Sequence, residues 1–147
     1  MTATEAKRIL LVDDDSAGAE LTVAALSEFD LGVEIDITAD GEEALDYLFR
    51  RGPYARRPDQ LPALVLLDLK MPKVDGHEVL RQIRADPRLH PLPVIVLTSS
   101  DQEADKRLSR TLGSNGYLVK PVSIDDFIDD LRNLTQFWTY LNRPPPR

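Results

Sequence analysis

The sequence predicts a three-layer α/β domain, a (βα)5 array on a parallel sheet of order 2-1-3-4-5. Three observations carry that expectation. Strand-like apolar runs alternate with helix-like segments five times, with no low-complexity break between them. Three of the runs, Ile9-Leu10-Leu11-Val12, Leu64-Val65-Leu66-Leu67 and Val94-Ile95-Val96-Leu97, are continuously apolar, as strands buried on both faces are. The second strand instead alternates Val33, Ile35 and Ile37 with Glu34, Asp36 and Thr38, which reads as an edge. Crossovers between parallel strands are right-handed, so a chain that steps outward to an edge and then crosses back generates that order.

Taken in order, the first strand is expected over Arg8 to Val12, and a helix over Ser16 to Phe29 with Ser16 as its N-cap. A second strand over Val33 to Ala39 precedes a helix over Gly41 to Arg51. The third strand, Leu64 to Asp68, leads through a loop to a helix near Gly76 to Asp86. Pro93 to Thr98 forms the fourth strand and Gln102 to Leu112 its helix. Gly116 to Val119 is the fifth strand, and Ile124 to about Leu141 the last helix. One domain over residues 7–142 is expected, between a flexible tail of residues 1–6 and a Pro-rich tail of residues 143–147.

Composition narrows the function. The 147 residues are 42% apolar and 29% charged, as in a folded globular chain. The absence of cysteine excludes disulfides, thiolate metal sites and thiol catalysis. Eighteen basic against 25 acidic residues, a net charge of −7, argue against a nucleic-acid surface and suit cations or a basic protein partner. The apolar runs fall far short of the roughly 20 residues of a membrane span. Met1 to Lys7 lack a signal-peptide core, so a cytoplasmic chain with no membrane partner is expected. The last helix ends near the C-terminus, so no output domain is expected either.

The strand order reverses between strands 1 and 3, and such a switch point opens a crevice at the carboxyl ends of the strands. Asp13, Asp14 and Asp15 follow strand 1, and Asp68 ends strand 3. Carboxylates that close raise one another's pKa unless a cation is present. A few hard oxygen ligands open to solvent suit Mg2+, which keeps several waters and often bridges to phosphate. Helix capping would account for one of Asp13 to Asp15, but not for Asp68 as well. Thr98, followed by Ser99 and Ser100, ends strand 4, and Lys120 ends strand 5. Acids for Mg2+, a carboxylate to attack phosphorus, a hydroxyl for a phosphoryl oxygen and a balancing cation are the parts phosphoryl transfer needs.

Several stretches carry a family resemblance: Ile9-Leu10-Leu11-Val12-Asp13-Asp14, then Leu66-Leu67-Asp68-Leu69-Lys70-Met71-Pro72-Lys73-Val74-Asp75-Gly76, then Val96-Leu97-Thr98-Ser99, then Tyr117-Leu118-Val119-Lys120-Pro121. In order and at matching strand ends from about Lys7 to Leu134, they resemble the receiver domain of two-component response regulators, a flavodoxin-like fold. The resemblance implies that Asp68 accepts a phosphoryl group from the phosphohistidine of a sensor histidine kinase, in a phosphoacceptor rather than a turnover enzyme. It implies that Asp14, Asp68 and the backbone carbonyl of Lys70 ligate Mg2+, with Asp13 acting through water. Thr98 would bond the phosphoryl group, Lys120 would pair with it, and Tyr117 would turn inward or outward with Thr98. The Lys120–Pro121 bond would be cis. Lys70 and Ser100, each two residues past a site residue, leave the phosphoryl lifetime open. The long loop from Arg50 to Pro62, with Arg50, Arg51, Arg56 and Arg57, and the Phe137-Trp138 tail resemble the small regulators that accompany phytochrome-type kinases. The plainer reading of the arginines is a solvated loop.

His77 and His90 sit at no ligand spacing and are expected on the surface. No phosphate-cradling P-loop is present. The enzyme alternative is a haloacid-dehalogenase-type phosphatase, whose paired Asp spacing Asp13 and Asp15 fit, but Ala17 departs from its motif and Asp68 would have no role. On the last helix, Phe137 and Tyr140 fall off the stripe formed by Ile124, Phe127, Ile128, Leu131, Leu134, Trp138 and Leu141. Two aromatics off that stripe beside Trp138 predict a homodimer through this helix.

Overall fold

Each apolar run becomes a strand in the computed structural model, which describes residues 7–27, 33–58, 60–71, 73–120, 129–130 and 132–133. The order is β1 (Lys7–Val12), α1 (Ser16–Ser27), β2 (Val33–Thr38), α2 (Gly41–Phe49), a 3-10 turn (Gly52–Tyr54), β3 (Leu64–Leu67), α3 (Gly76–Ala85), β4 (Val94–Thr98), α4 (Glu103–Thr111) and β5 (Gly116–Val119). All neighbouring strands pair in parallel, in the order β2-β1-β3-β4-β5. Asp129, Asp130, Arg132 and Asn133 are helical. The rest of the expected last helix, with Phe137, Trp138 and Tyr140, lies outside the described residues, as does the Lys120–Pro121 bond.

The period-two geometry of a strand divides the core into two layers. Leu10, Val12, Val65, Leu67 and Val94 pack with Ala44, Leu45 and Leu48 of α2 and Val79, Leu80 and Ile83 of α3. On the other face Ile9, Leu11, Leu64, Leu66, Ile95 and Leu97 meet Ala19, Ala25 and Leu26 of α1. The continuous apolar runs are therefore explained by cover on both faces. The alternating strand is an edge, as its pattern predicts, and Ile37 on it remains 47% exposed.

Helix ends correct the sequence reading in detail. Ser16 is the first residue of α1, not its cap; the Asp15 side chain caps instead, accepting from Ala17 N–H at 3.2 Å. A carboxylate there also complements the positive end of the helix dipole. Asp40 and Asp75 cap α2 and α3 in the same way, accepting from Glu43 N–H and Glu78 N–H. Helix α2 stops at Phe49 because Arg50 turns left-handed at φ 56°, and its N–H closes onto the carbonyls of Asp46 and Tyr47.

The arginine loop is not simply solvated. Arg57 stacks 4.1 Å over the Tyr47 ring and donates to the carbonyls of Tyr47 and Gln60, while Arg50 donates to the Arg57 carbonyl. Fixed backbone acceptors hold these two side chains down; Arg51 and Arg56 stay exposed. His77 also departs from its expected surface position. It is half-buried, with Nε2 3.2 Å from the Oγ of fully buried Ser109, which joins α3 to α4. His90 is exposed, as expected.

Candidate functional site

The ladder bonds that build the sheet also place the site. One residue beyond its strand, Asp13 donates its backbone N–H to the carbonyl of Thr38, the last residue of β2 (3.1 Å). Asp68 does the same to Val12 at the end of β1 (2.9 Å), and Lys120 to Thr98 at the end of β4 (2.7 Å). Two carboxylates and an ammonium are thus fixed on one rim by backbone geometry.

Their side chains converge. Lys120 Nζ lies 2.6 Å from Asp13 Oδ2 and 3.8 Å from Asp68 Oδ2. Asp13 is 2% exposed and its other oxygen accepts from Asp15 N–H. Asp68 is 9% exposed and accepts from Lys70 N–H at 3.2 Å, and the nearby Thr98 hydroxyl acts to lower its pKa. Burial raises the Asp68 pKa above the ordinary carboxylate value; Lys120 and the Lys70 amide oppose this, and neighbouring Asp13 adds to it. A buried carboxylate beside another carboxylate costs free energy that a cation would relieve. Asp13, Asp14 and Asp68 each offer an oxygen within 4.8 Å of the others, with Asp14 exposed to solvent. An all-oxygen set of that size, open on one side, fits a divalent metal ion.

Two glycines make room for this arrangement. A Cβ on Gly76 would lie 2.3 Å from the Asp68 carbonyl oxygen, and one on Gly41 would lie 1.9 Å from that of Val74. Helices α2 and α3 therefore begin directly against the loop that carries the acid.

Of the residues marked in the sequence, Asp13, Asp14, Asp68, Thr98 and Lys120 come together, while Asp15 serves the helix terminus instead. Tyr117 is half-buried, its hydroxyl donating to the Ser100 carbonyl at 2.8 Å. The Lys70 side chain does not fold over Asp68; its ammonium pairs with Asp105 Oδ2 at 3.4 Å. Asp105, which also accepts from the Ser100 hydroxyl at 2.5 Å, was missed from sequence. As an acid in the first turn of α4 it reads as ordinary helix-dipole complement, and no local pattern joins it to Lys70.

A parallel sheet of this order with acids, a hydroxyl and a lysine at the ends of β1, β3, β4 and β5 defines a phosphoryl-accepting signalling domain. The chain belongs to the response regulator receiver domain family, whose model matches residues 9–132. It is 42% identical, over 93% of its length and 86% of the relative's, to the probable methanogenesis regulatory protein FilR2 of Methanothrix harundinacea (strain 6Ac). The crystal structure of the phosphorylated cyanobacterial phytochrome response regulator RcpA superposes with a TM-score of 0.87 at 36% identity, covering 97% of this chain and all of that one. The Mn2+-bound form of response regulator Rcp1 superposes at 0.85 with 37% identity, covering 95% of this chain and 99% of that one. The curated Rcp1 sequence, from Synechocystis sp. (strain ATCC 27184 / PCC 6803 / Kazusa), is 39% identical over 90% of this chain and 88% of its own. The family assignment places the chain in two-component phosphorelay signalling through an aspartate, with a histidine kinase as partner, and gives the phosphatase alternative no support. Among the described residues no helix is long and apolar enough to cross a membrane.

Proposed function

We propose that Asp68 is the phosphoacceptor, loaded from a kinase phosphohistidine. The observation that carries this reading is the convergence of Lys120, Asp13, Asp14 and Thr98 on one buried carboxylate. An Asp68 oxygen attacks phosphorus, the phosphorus–nitrogen bond breaks, and its electron pair returns to the imidazole, which takes up a proton. Asp14, Asp68 and the Lys70 carbonyl would hold Mg2+ directly and Asp13 through water; the ion supplies charge neutralisation for the incoming phosphoryl oxygens. Lys120, shared unequally between two carboxylates, would pair with a phosphoryl oxygen, and the Thr98 hydroxyl would donate to another. Tyr117, tied through the Ser100 carbonyl to the loop after Thr98, would report the change to the α4–β5 surface. The chain on this reading is loaded and unloaded but turns over no separate substrate.

The kinase is proposed to be phytochrome-like, supported by the near full-length likeness to RcpA, a phytochrome response regulator by name; the setting is proposed to be cytoplasmic. Residues 7–142 would form one receiver domain flanked by two tails, with a homodimer through Phe137, Trp138 and Tyr140. Sedimentation of wild type against Phe137→Ala/Tyr140→Ala tests the dimer; a wild type monomeric at tens of micromolar would end it. For the central reading, a radiolabelled phytochrome-type kinase should pass its label to the wild-type chain and not to Asp68→Asn. Undiminished labelling of Asp68→Asn would overturn the acceptor assignment, and labelling by unrelated kinases alone would overturn the phytochrome link.

A further inference from the structure

Lys70 is rooted on the rim of the site, since its backbone N–H donates to Asp68 Oδ1. Its ammonium is nevertheless drawn away to Asp105, on the first turn of α4. The Lys70 side chain is 62% exposed and that of Asp105 only 14%, so the carboxylate is the fixed member of the pair. Ser100 does the fixing. Its hydroxyl donates to the same Asp105 oxygen, its N–H reaches Thr98 Oγ1 at 3.4 Å, and its carbonyl accepts from Tyr117. The Ser100 hydroxyl and the Lys70 charge together hold the Asp105 carboxyl below its ordinary pKa, so it stays ionised at neutral pH. One carboxylate thus draws the cation of the β3–α3 loop to the start of α4.

We propose that Asp105 is a positioning residue that holds the Lys70 ammonium off the phosphoryl group of Asp68 and so shortens the life of the aspartyl phosphate. The inference rests on Asp68 being the acceptor. In hydrolysis the oxygen of water bonds to phosphorus as the bond from phosphorus to the Asp68 oxygen breaks. The electron pair returns to the carboxylate, inorganic phosphate departs and a water proton passes to solvent. A Lys70 released from Asp105 remains anchored beside Asp68 by its backbone N–H, and its ammonium is attracted to the phosphoryl oxygens there. Settled there, it screens the phosphorus from entering water and stabilises the ground state, and both effects slow hydrolysis. Pinned to Asp105, it leaves that side open. The pair is largely exposed on the lysine side, and such pairs are weak, so the effect is a few-fold one.

The test follows the decay of phosphoryl-Asp68 after acetyl phosphate is removed, in the full chain with Mg2+ present. Asp105→Asn keeps an acceptor for the Ser100 hydroxyl but drops the charge, and should lengthen the half-life about threefold. Asp105→Glu, which restores the charge, should return it towards wild type. In a Lys70→Ala background, Asp105→Asn should have no further effect. A half-life unchanged or shortened in Asp105→Asn would overturn the proposal, as would an equal lengthening with Lys70→Ala present. A wild-type chain that takes up no phosphoryl group on Asp68 would overturn the acceptor reading and this inference with it. A labelled wild type with a flat cycle would overturn the positioning role alone.

Discussion

At Gly76 the demand is for space rather than for an unusual backbone angle. Any side chain there meets the Asp68 carbonyl and the Leu69 Cα within 2.7 Å. Gly76→Ala must therefore push the backbone of Asp68, the proposed acceptor, and overpacking of this kind costs about 1–3 kcal/mol. Denaturant unfolding should show that loss, and acetyl phosphate labelling should slow in the same variant. Asp68 itself yields a pH prediction for the metal-free protein. Burial raises its folded pKa above the ordinary 3.8, so the folded state is penalised once the group ionises. The unfolded chain releases the proton first, and stability falls as pH rises from about 3.8 through the folded pKa. Asp68→Asn should accordingly raise the melting temperature at pH 7 in chelator, and the gain should vanish below the ordinary carboxylate pKa. A gain that persists undiminished in acid would contradict the burial argument.

At the scale of elements, one side chain ties α3 to the strand entries on the face opposite the site. Arg84 donates to the carbonyls of Gly113, Leu92 and His90 and to Asn115 Oδ1. Asn115 Oδ1 in turn accepts from Val94 N–H, at the start of β4. Hydrogen bonds from a charged donor to half-buried carbonyls are strong ones, so Arg84→Ala should cost about 2–4 kcal/mol by denaturant unfolding. Phosphoryl acceptance in the surviving folded fraction should be intact, because the tie is remote from the rim. The element pattern itself was legible. Strand identity and order followed from which runs were continuously apolar and which alternated. The boundaries were less so, because termini depend on side chains reaching back: Asp15 displaced Ser16 as the cap of α1, and Arg50 ended α2 early. The strand-end residues of the site could be read from sequence because a ladder bond fixes each where its strand stops. The Lys70–Asp105–Ser100 cluster and the His77–Ser109 contact could not, since they join separate elements across loops whose paths no local pattern specifies.

For the whole molecule, a net charge of −7 with three carboxylates in one crevice sets metal-free stability against function. On the proposed reading Mg2+ binds the native arrangement and not the unfolded chain, so it should raise the melting temperature with the logarithm of its concentration above the dissociation constant. At tenfold the dissociation constant the gain is about 1.4 kcal/mol, roughly 3–5 °C for a chain of this size. Asp14→Ala should melt higher than wild type in chelator and show almost no shift on adding Mg2+. No shift for wild type at millimolar Mg2+ would count heavily against the metal site.

The most direct test of the central claim is to locate the phosphoryl group. The full chain is treated with acetyl phosphate and Mg2+, the acyl phosphate is trapped by reduction, and the modified peptide is sequenced by mass spectrometry. Modification is expected at Asp68, absent when Mg2+ is chelated and absent in Asp68→Asn. Modification at another residue, or steady phosphomonoester turnover by Asp68→Ala, would contradict it.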